Sequence, residues 1–194
     1  MTNYDLNKNE KRSGYPTIDK PWYVNYNKNE LEKEIQKKTV FQEVYDNNIK
    51  FQKDLALEFF GSKINYSTFF KNIEMTAKAF KEYGIKKGDF VTICAAGIPE
   101  TVYSFYALSK IGAVANMIAP HFEKKDLIAR ISDCESDTLI IMDEFYPELK
   151  EAIKGSRIKN IIILPTLNSS MLRFITKTYK IDSFSNELYW NQFI

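Results

Sequence analysis

The chain has 194 residues, of which 44% are hydrophobic and 27% are charged, so it can bury a core and is too apolar for wholesale disorder. Its 27 Lys and Arg residues nearly balance 25 Asp and Glu residues, for a formal net charge of +2. The two signs alternate along the chain instead of forming a basic block, which argues against a nucleic-acid partner.

The cysteines and the apolar runs indicate the cellular compartment in which the protein is expected. Cys94 and Cys134 have neither the paired spacing of a zinc site nor the density of a disulfide scaffold, so we expect a reducing, cytoplasmic compartment. Residues 1–15 are polar and lack the apolar stretch of a secretory signal, so we expect no export. The longest apolar runs are much shorter than the roughly 20 residues that cross a bilayer, which predicts no transmembrane segment.

The first part of the chain is predicted to precede any sheet. Residues 1–29 are polar without a hydrophobic period, which predicts an extended arm. Thr39 is a candidate N-cap for a helix that runs to about Asp54, because apolar residues recur along one side of that segment.

A β-hairpin is predicted next, with strands at 55–60 and 64–66 and a turn at 61–63. Ser67 is the candidate N-cap of a second helix, in which apolar residues recur every three or four positions. Gly84 is placed where a left-handed residue would end that helix.

Short apolar runs then alternate with amphipathic segments. The predicted strands are 90–94, 113–118, 138–142 and 160–164, and the predicted helices begin at Pro99, Glu123 and Tyr146. This pattern predicts an α/β fold with a mainly parallel βαβ sheet covered by helices. After Pro165 the pattern weakens. We therefore divide the chain into an extended N-terminal arm at 1–29, an α/β subdomain at 30–165 and an irregular tail at 166–194.

Several familiar chemistries are excluded by the sequence. No two of the seven glycines are closer than Gly84 and Gly88, so neither a dinucleotide fingerprint nor a Walker loop is present. A serine hydrolase of the α/β type needs a Gly-x-Ser-x-Gly elbow, which does not occur. The one histidine, His121, follows a predicted strand, where parallel sheets place ligand sites, but a lone loop histidine is more often a surface residue.

Carboxylates are plentiful, and a pair of them could in principle act as general acid and base. We favour the interpretation that they form the solvated faces of the helices. The carboxylates considered are Asp133, Glu135, Asp137, Asp143 and Glu144.

Four blocks within 64–153 resemble the opening of the adenylate-forming superfamily of acyl-CoA synthetases, peptide-synthetase adenylation domains and luciferases. The arm at 14–23 and the ending at 189–193 are similar to its acyl-CoA synthetase branch. At 116–120 the proline is later than in many members, so the subfamily and the substrate stay open. The blocks are INYSTF at 64–69, FKEYGIKKGDFV at 80–91, PETV at 99–102 with ALSKIGAV at 107–114, and 122–143, which contains LIARISD and TLIIMD.

The resemblance implies part of the large N-terminal domain of an ATP-dependent, AMP-forming acid–thiol ligase. Such enzymes convert a carboxylic acid to an acyl-adenylate and then to acyl-CoA, using ATP, Mg²⁺ and CoA, and we expect a fatty or other apolar acid. The family's phosphate loop ending in Pro-Lys-Gly, its Tyr-Gly-x-Thr-Glu segment, its hinge Asp and its C-terminal lysine are absent from these 194 residues. We therefore expect an inactive fragment that binds none of these cofactors tightly and contains no catalytic or metal-binding residue.

Arg130 is the one candidate cofactor-binding residue. The stretch around it resembles a segment in which short-chain members of the family place an arginine near the CoA nucleotide, and a guanidinium fork suits phosphate oxygens. The alternative, which we favour, is an ordinary surface ion pair with Asp126 or Asp133.

Two other interpretations stay open. The chain could be a non-catalytic binding or interaction module with the same subdomain fold. A weakly amphipathic stretch at 171–180 could lie on a membrane surface, although packing against the rest of the domain is the simpler reading. We also expect an exposed apolar patch that promotes self-association.

Overall fold

The structure is a computed structural model that describes residues 13–31, 33–34, 36–120, 123–172 and 186–194. The chain divides into two compact units, Met1–Lys37 and Lys38–Ile194. The described part of the first unit forms short helical turns where the sequence predicted extended chain. These are α1 (Pro16–Asp19), a 3-10 turn (Pro21–Asn25) and α2 (Lys28–Leu31).

The second unit opens with helix α3 (Val40–Asn48). The predicted N-cap is confirmed, because the side chain of Thr39 accepts a hydrogen bond from the backbone N–H of Gln42 at 3.1 Å. The helix is shorter than predicted, since a 3-10 turn at Ile49–Phe51 replaces its expected last turn.

A hairpin of β1 (Leu55–Phe59) and β2 (Ser62–Asn65) follows, and α4 (Tyr66–Glu82) begins directly after it. The predicted cap at Ser67 is wrong. The N-cap is Asn65, whose side-chain oxygen accepts from the backbone N–H of Thr68 at 2.9 Å. Both residue types favour this position, and the early end of β2 decides between them. Gly84 has φ of +95°, which confirms the predicted end of the helix.

The main sheet has five strands in the order β4-β3-β5-β6-β7, and every neighbouring pair is parallel. This confirms the predicted α/β class. The last strand, β7, was not predicted from the sequence. In chain order the elements are β3 (Phe90–Cys94), α5 (Pro99–Ile111), β4 (Val114–Ile118), α6 (Lys124–Asp133), β5 (Thr138–Met142), α7 (Tyr146–Lys154), β6 (Asn160–Leu164), β7 (Asn186–Tyr189) and α8 (Trp190–Phe193).

The sheet separates two apolar layers. Alternate side chains of the central strands point to opposite faces, so Ile140 packs into one layer and Ile141 into the other. Helices α4 and α5 cover the first face, and α6 and α7 cover the second. All five residues of β5 are buried, which explains why the four residues after Thr138 are all apolar.

None of the helices within the described ranges is both long enough and apolar enough to cross a bilayer.

Candidate functional site

The strand order places a topological switch point between β3 and β5. The connection after β3 leads to α5 on one face of the sheet, and the connection after β5 leads to α7 on the other. In doubly wound sheets such a divergence opens a crevice beyond the carboxyl ends of the strands, where ligands bind. Functional side chains are therefore expected first at the carboxyl ends of these strands.

Asp143 is the first residue after β5 and is buried at this edge. Its side-chain oxygen Oδ1 accepts from both the backbone N–H, at 3.1 Å, and the hydroxyl of Thr166. Thr166 belongs to the loop at 166–170, which follows β6. One carboxylate thus binds the start of this loop.

Glu100 is the second buried carboxylate at this edge and lies in the first turn of α5, with 1% of its surface exposed. Its Oε1 accepts from the side-chain amide of Asn168 at 2.9 Å and from the hydroxyl of Ser169. Its Oε2 is buried and has no hydrogen-bond partner among the described residues. The positive end of the helix dipole favours a carboxylate at this position.

The loop at 166–170 is thus bound by carboxylates from both sides of the switch point. Asp143 and Glu100 accept hydrogen bonds from the loop, so the structure gives them a positioning role. In the sequence, Glu100 stood out only as part of the PETV block at 99–102. The polar run of Asn168 and Ser169 just after a proline is the signal that could have indicated a tightly bound turn.

The candidate acid–base carboxylates lie at opposite ends of the strands. Asp143 and the exposed Glu144 follow β5 at its carboxyl end. Three others lie at the opposite end, where α6 leads into β5, and line an open pocket of about 620 Å³. That pocket is lined by Gly88, Asp89, Phe90, Asp133, Cys134, Glu135 and Asp137. The structure therefore does not bring Asp143 together with Asp133, Glu135 or Asp137.

Two buried groups are poor candidates for nucleophilic or acid–base chemistry. Burial raises the pKa of the Cys94 thiol to about 11, so it stays protonated at neutral pH. Burial also raises the pKa of the Tyr103 hydroxyl to about 12. His121 lies outside the described residues.

Arg130 lies in the last turn of α6, and its side chain is exposed. A cation is favoured there by the negative end of the helix dipole. The residue already interacts with another group of the protein. Asp133 is exposed on the same helix end, and Asp126 is half-buried in its first turn. Arg130 is thus exposed at the end of α6, on the same helix as Asp126 and Asp133.

ATP and Mg²⁺ are bound in proteins by phosphate cradles and by clusters of metal-ligating side chains. Phosphate cradles use closely spaced glycines whose backbone N–H groups converge, and the chain has no such spacing. No cluster of three or more His, Cys, Asp or Glu side chains suited to a metal ion occurs in the part of the chain that the structure describes.

A five-stranded parallel sheet with helices on both faces and a switch point defines a doubly wound α/β protein. Residues 45–184 match the family model of the AMP-binding enzymes, described as "AMP-binding enzyme". The chain therefore belongs to this family of adenylate-forming ligases, and the resemblance noted in the sequence is confirmed.

Relatives and solved structures agree with this assignment. The chain is 42% identical over 82 residues to acetyl-coenzyme A synthetases of Brucella canis and Brucella suis, and the alignment covers 42% of this chain. The fold matches coronafacic acid ligase from Pectobacterium brasiliense, with a TM-score of 0.69, 22% identity and 80% of this chain covered. It also matches the anthranilate CoA ligase AuaEII in complex with anthranoyl-AMP, with a TM-score of 0.61, 21% identity and 67% of this chain covered.

The matched region is a small part of these proteins. It covers 13% of the acetyl-coenzyme A synthetases, 29% of coronafacic acid ligase and 26% of AuaEII. The match thus spans less than a third of each of these proteins.

Proposed function

We propose that the chain is the N-terminal part of an ATP-dependent, AMP-forming acid–thiol ligase that makes acyl-CoA through an acyl-adenylate. The match of residues 45–184 to the AMP-binding enzyme model carries this proposal. It is supported by the likeness to acetyl-coenzyme A synthetases and to a CoA ligase whose structure holds an acyl-adenylate. ATP, Mg²⁺ and CoA would be the cofactors of the whole enzyme.

The proposed acid is a fatty or other apolar carboxylic acid. The proposed compartment is the cytoplasm, because both Cys94 and Cys134 are free thiols. The role of these 194 residues is to supply one α/β subdomain, with its switch point closed by the loop at 166–170. The groups that act on ATP would then belong to other parts of the enzyme.

The chain alone is expected to catalyse no exchange of pyrophosphate into ATP, with or without added carboxylic acids. The physical reason is that its residues offer no glycine-rich cradle for a triphosphate. The measurement is radiolabelled pyrophosphate exchange, with a complete acetyl-coenzyme A synthetase as the positive control. Exchange above background by the purified chain would show that the inactive-fragment proposal is wrong.

We further propose that Arg130 binds a phosphate of CoA in the complete enzyme. Its guanidinium is exposed at the end of α6 and offers paired donors to phosphate oxygens. Binding would require it to share or exchange its present interaction within the protein. The competing role is structural, as an ion pair at the end of α6 with Asp126 or Asp133.

In a complete ligase rebuilt on this chain, Arg130→Ala is expected to raise the KM for CoA roughly tenfold, by loss of about one charge-assisted contact. Adenylate formation, measured separately by pyrophosphate exchange, should stay unchanged. Arg157→Ala is the matched control, because Arg157 is also exposed. Unchanged use of CoA by the Arg130 variant would refute the phosphate-binding role, and equal losses in both half-reactions would indicate a structural one.

A further inference from the structure

A strap of the chain crosses the carboxyl ends of the strands at the switch point. It consists of residues 166–171, which follow β6. Asp143 after β5 binds its first residue, and Glu100 in the first turn of α5 binds its middle. Its last residue lies at the turn of the β1–β2 hairpin, beside Phe60 and Gly61. The strap therefore spans the gap between the connections that diverge after β3 and β5.

The start of the strap is firmly held. Thr166 donates two hydrogen bonds to Asp143 Oδ1, one from its backbone N–H at 3.1 Å and one from its hydroxyl. Asp143 is itself fixed, because its side chain is buried and its backbone N–H donates to the carbonyl of Leu164 in β6 at 2.9 Å. Two bonds from one residue, next to a paired strand, make this end an anchor.

The far end of the strap makes a close but small contact with the hairpin turn. The backbone N–H of Met171 donates to the carbonyl of Phe60 at 3.4 Å, which is a long hydrogen bond. A Cβ atom at Gly61 would lie 2.8 Å from Met171 Sδ, so a glycine permits the sulfur to sit over the turn. Met171 is nevertheless 66% exposed, so this contact buries little apolar surface. Such an end can separate from the turn at small cost.

The middle of the strap is held by polar contacts instead of apolar packing. Residues 166–169 are half-buried, and Ser170 is the buried residue of the strap. Water can replace the hydrogen bonds that Glu100 Oε1 accepts from the strap. Glu100 Oε2 is buried without a protein partner among the described residues, so closure carries a desolvation cost that opening relieves. Segments with few buried apolar contacts open before the rest of a fold.

We propose that the strap is a lid over the switch point, which stays anchored at Thr166 and opens by releasing Glu100 and the hairpin turn. Opening would uncover the carboxyl ends of β3 and β5, where doubly wound sheets bind their ligands. This inference goes beyond the proposed function and does not depend on it, because it concerns a movement within these 194 residues.

Thiol labelling tests whether the strap opens by itself. In a Cys134→Ser background, Ser170→Cys places a thiol at a position that is 3% exposed, and Cys94 in β3 is the internal reference at 1%. Iodoacetamide should modify position 170 at a rate that hardly changes with urea below the unfolding transition, whereas modification of Cys94 should accelerate steeply. The urea dependence is compared instead of the rate, because burial raises the pKa of Cys94 to about 11. The same steep dependence at both positions would overturn the proposal.

The role of Glu100 as the latch is tested in the same labelled protein. Glu100→Ala should raise the rate of modification at position 170 about tenfold or more, because it removes two hydrogen bonds to a carboxylate. Glu100→Gln should stay close to the parent, since its amide oxygen can accept both bonds. Glu144→Ala, at an exposed glutamate, is the matched control. If the alanine variants at 100 and 144 are modified at equal rates, Glu100 is not the latch.

A disulfide can lock the far end of the strap. A Cβ atom at Gly61 would lie 3.9 Å from the Cβ of Met171, within the range of about 3.5–4.5 Å for disulfides. Gly61→Cys with Met171→Cys, in the Cys134→Ser background, should therefore cross-link on oxidation. Exchange of the backbone N–H at position 171 should then slow about tenfold or more relative to the reduced form of the same variant. Failure to cross-link, or equal exchange in the two forms, would contradict a lid that opens at this end.

Discussion

Phe80→Ala is expected to lower the free energy of unfolding by about 3–5 kcal/mol, the range for removing a large aromatic side chain from a packed core. Phe80 lies on α4 and has no exposed surface. Its ring is 5.2 Å from the ring of Phe193 in α8, so it joins the N-terminal half of the unit to its last helix. Truncation would leave a cavity between α4 and the sheet.

Urea unfolding followed by circular dichroism measures this loss. Phe51→Ala is the control, because Phe51 is 45% exposed in the 3-10 turn after α3, and its truncation is expected to cost less than about 1 kcal/mol. Similar losses for the two variants would contradict the packing described for α4 and α8.

The central strands and their helices were predictable because each is specified by local sequence. Strands β3, β5 and β6 are buried on both faces, so their side chains form short, mostly apolar runs. Helix α5 begins with Pro99 at its first turn and ends at Gly112, where φ is +78°. A proline at the start and a left-handed glycine at the end are signals that need no tertiary context.

Strand β7 could not be predicted in the same way. It has four residues, Asn186–Tyr189, and includes a glutamate, so neither apolar runs nor alternation distinguish it from a loop. Its position depends on pairing with β6 and on a contact in which the Tyr146 hydroxyl donates to Glu187 Oε1. Glu187 is buried against the second face of the sheet, and that burial depends on a partner 41 residues away.

The hydrogen bonds at the carboxyl ends of the strands also could not be predicted from local sequence, because they join residues that are far apart in the chain. Glu100 is 68 residues from Asn168, and sequence spacing says nothing about their hydrogen bond. The switch point itself follows from strand order, which the βαβ alternation alone leaves open. In contrast, Arg130 was selected by resemblance, and its proposed role in CoA binding stays a prediction.

Glu100→Ala is expected to lower the free energy of unfolding by about 1–3 kcal/mol, because it removes the shared acceptor of Asn168 and Ser169. Glu100→Gln should cost less, since its amide oxygen can keep both hydrogen bonds. Its new NH₂ group would take the place of Oε2, which has no partner among the described residues. The Gln variant still loses the favourable interaction of a charge with the start of α5, worth about 0.3–1 kcal/mol.

Hydrogen exchange distinguishes a local role of Glu100 from a general loss of stability. The backbone N–H of Asn168 donates to Pro165 and that of Ser170 to Leu167, and Glu100→Ala should speed exchange at both positions. Amides in β5 should exchange more slowly than these, because that strand is paired on both sides. Glu144→Ala is the control, since Glu144 is an exposed glutamate next to Asp143. If Glu100→Ala leaves exchange in the loop at 166–170 as slow as in the control, Glu100 does not hold that loop over the switch point.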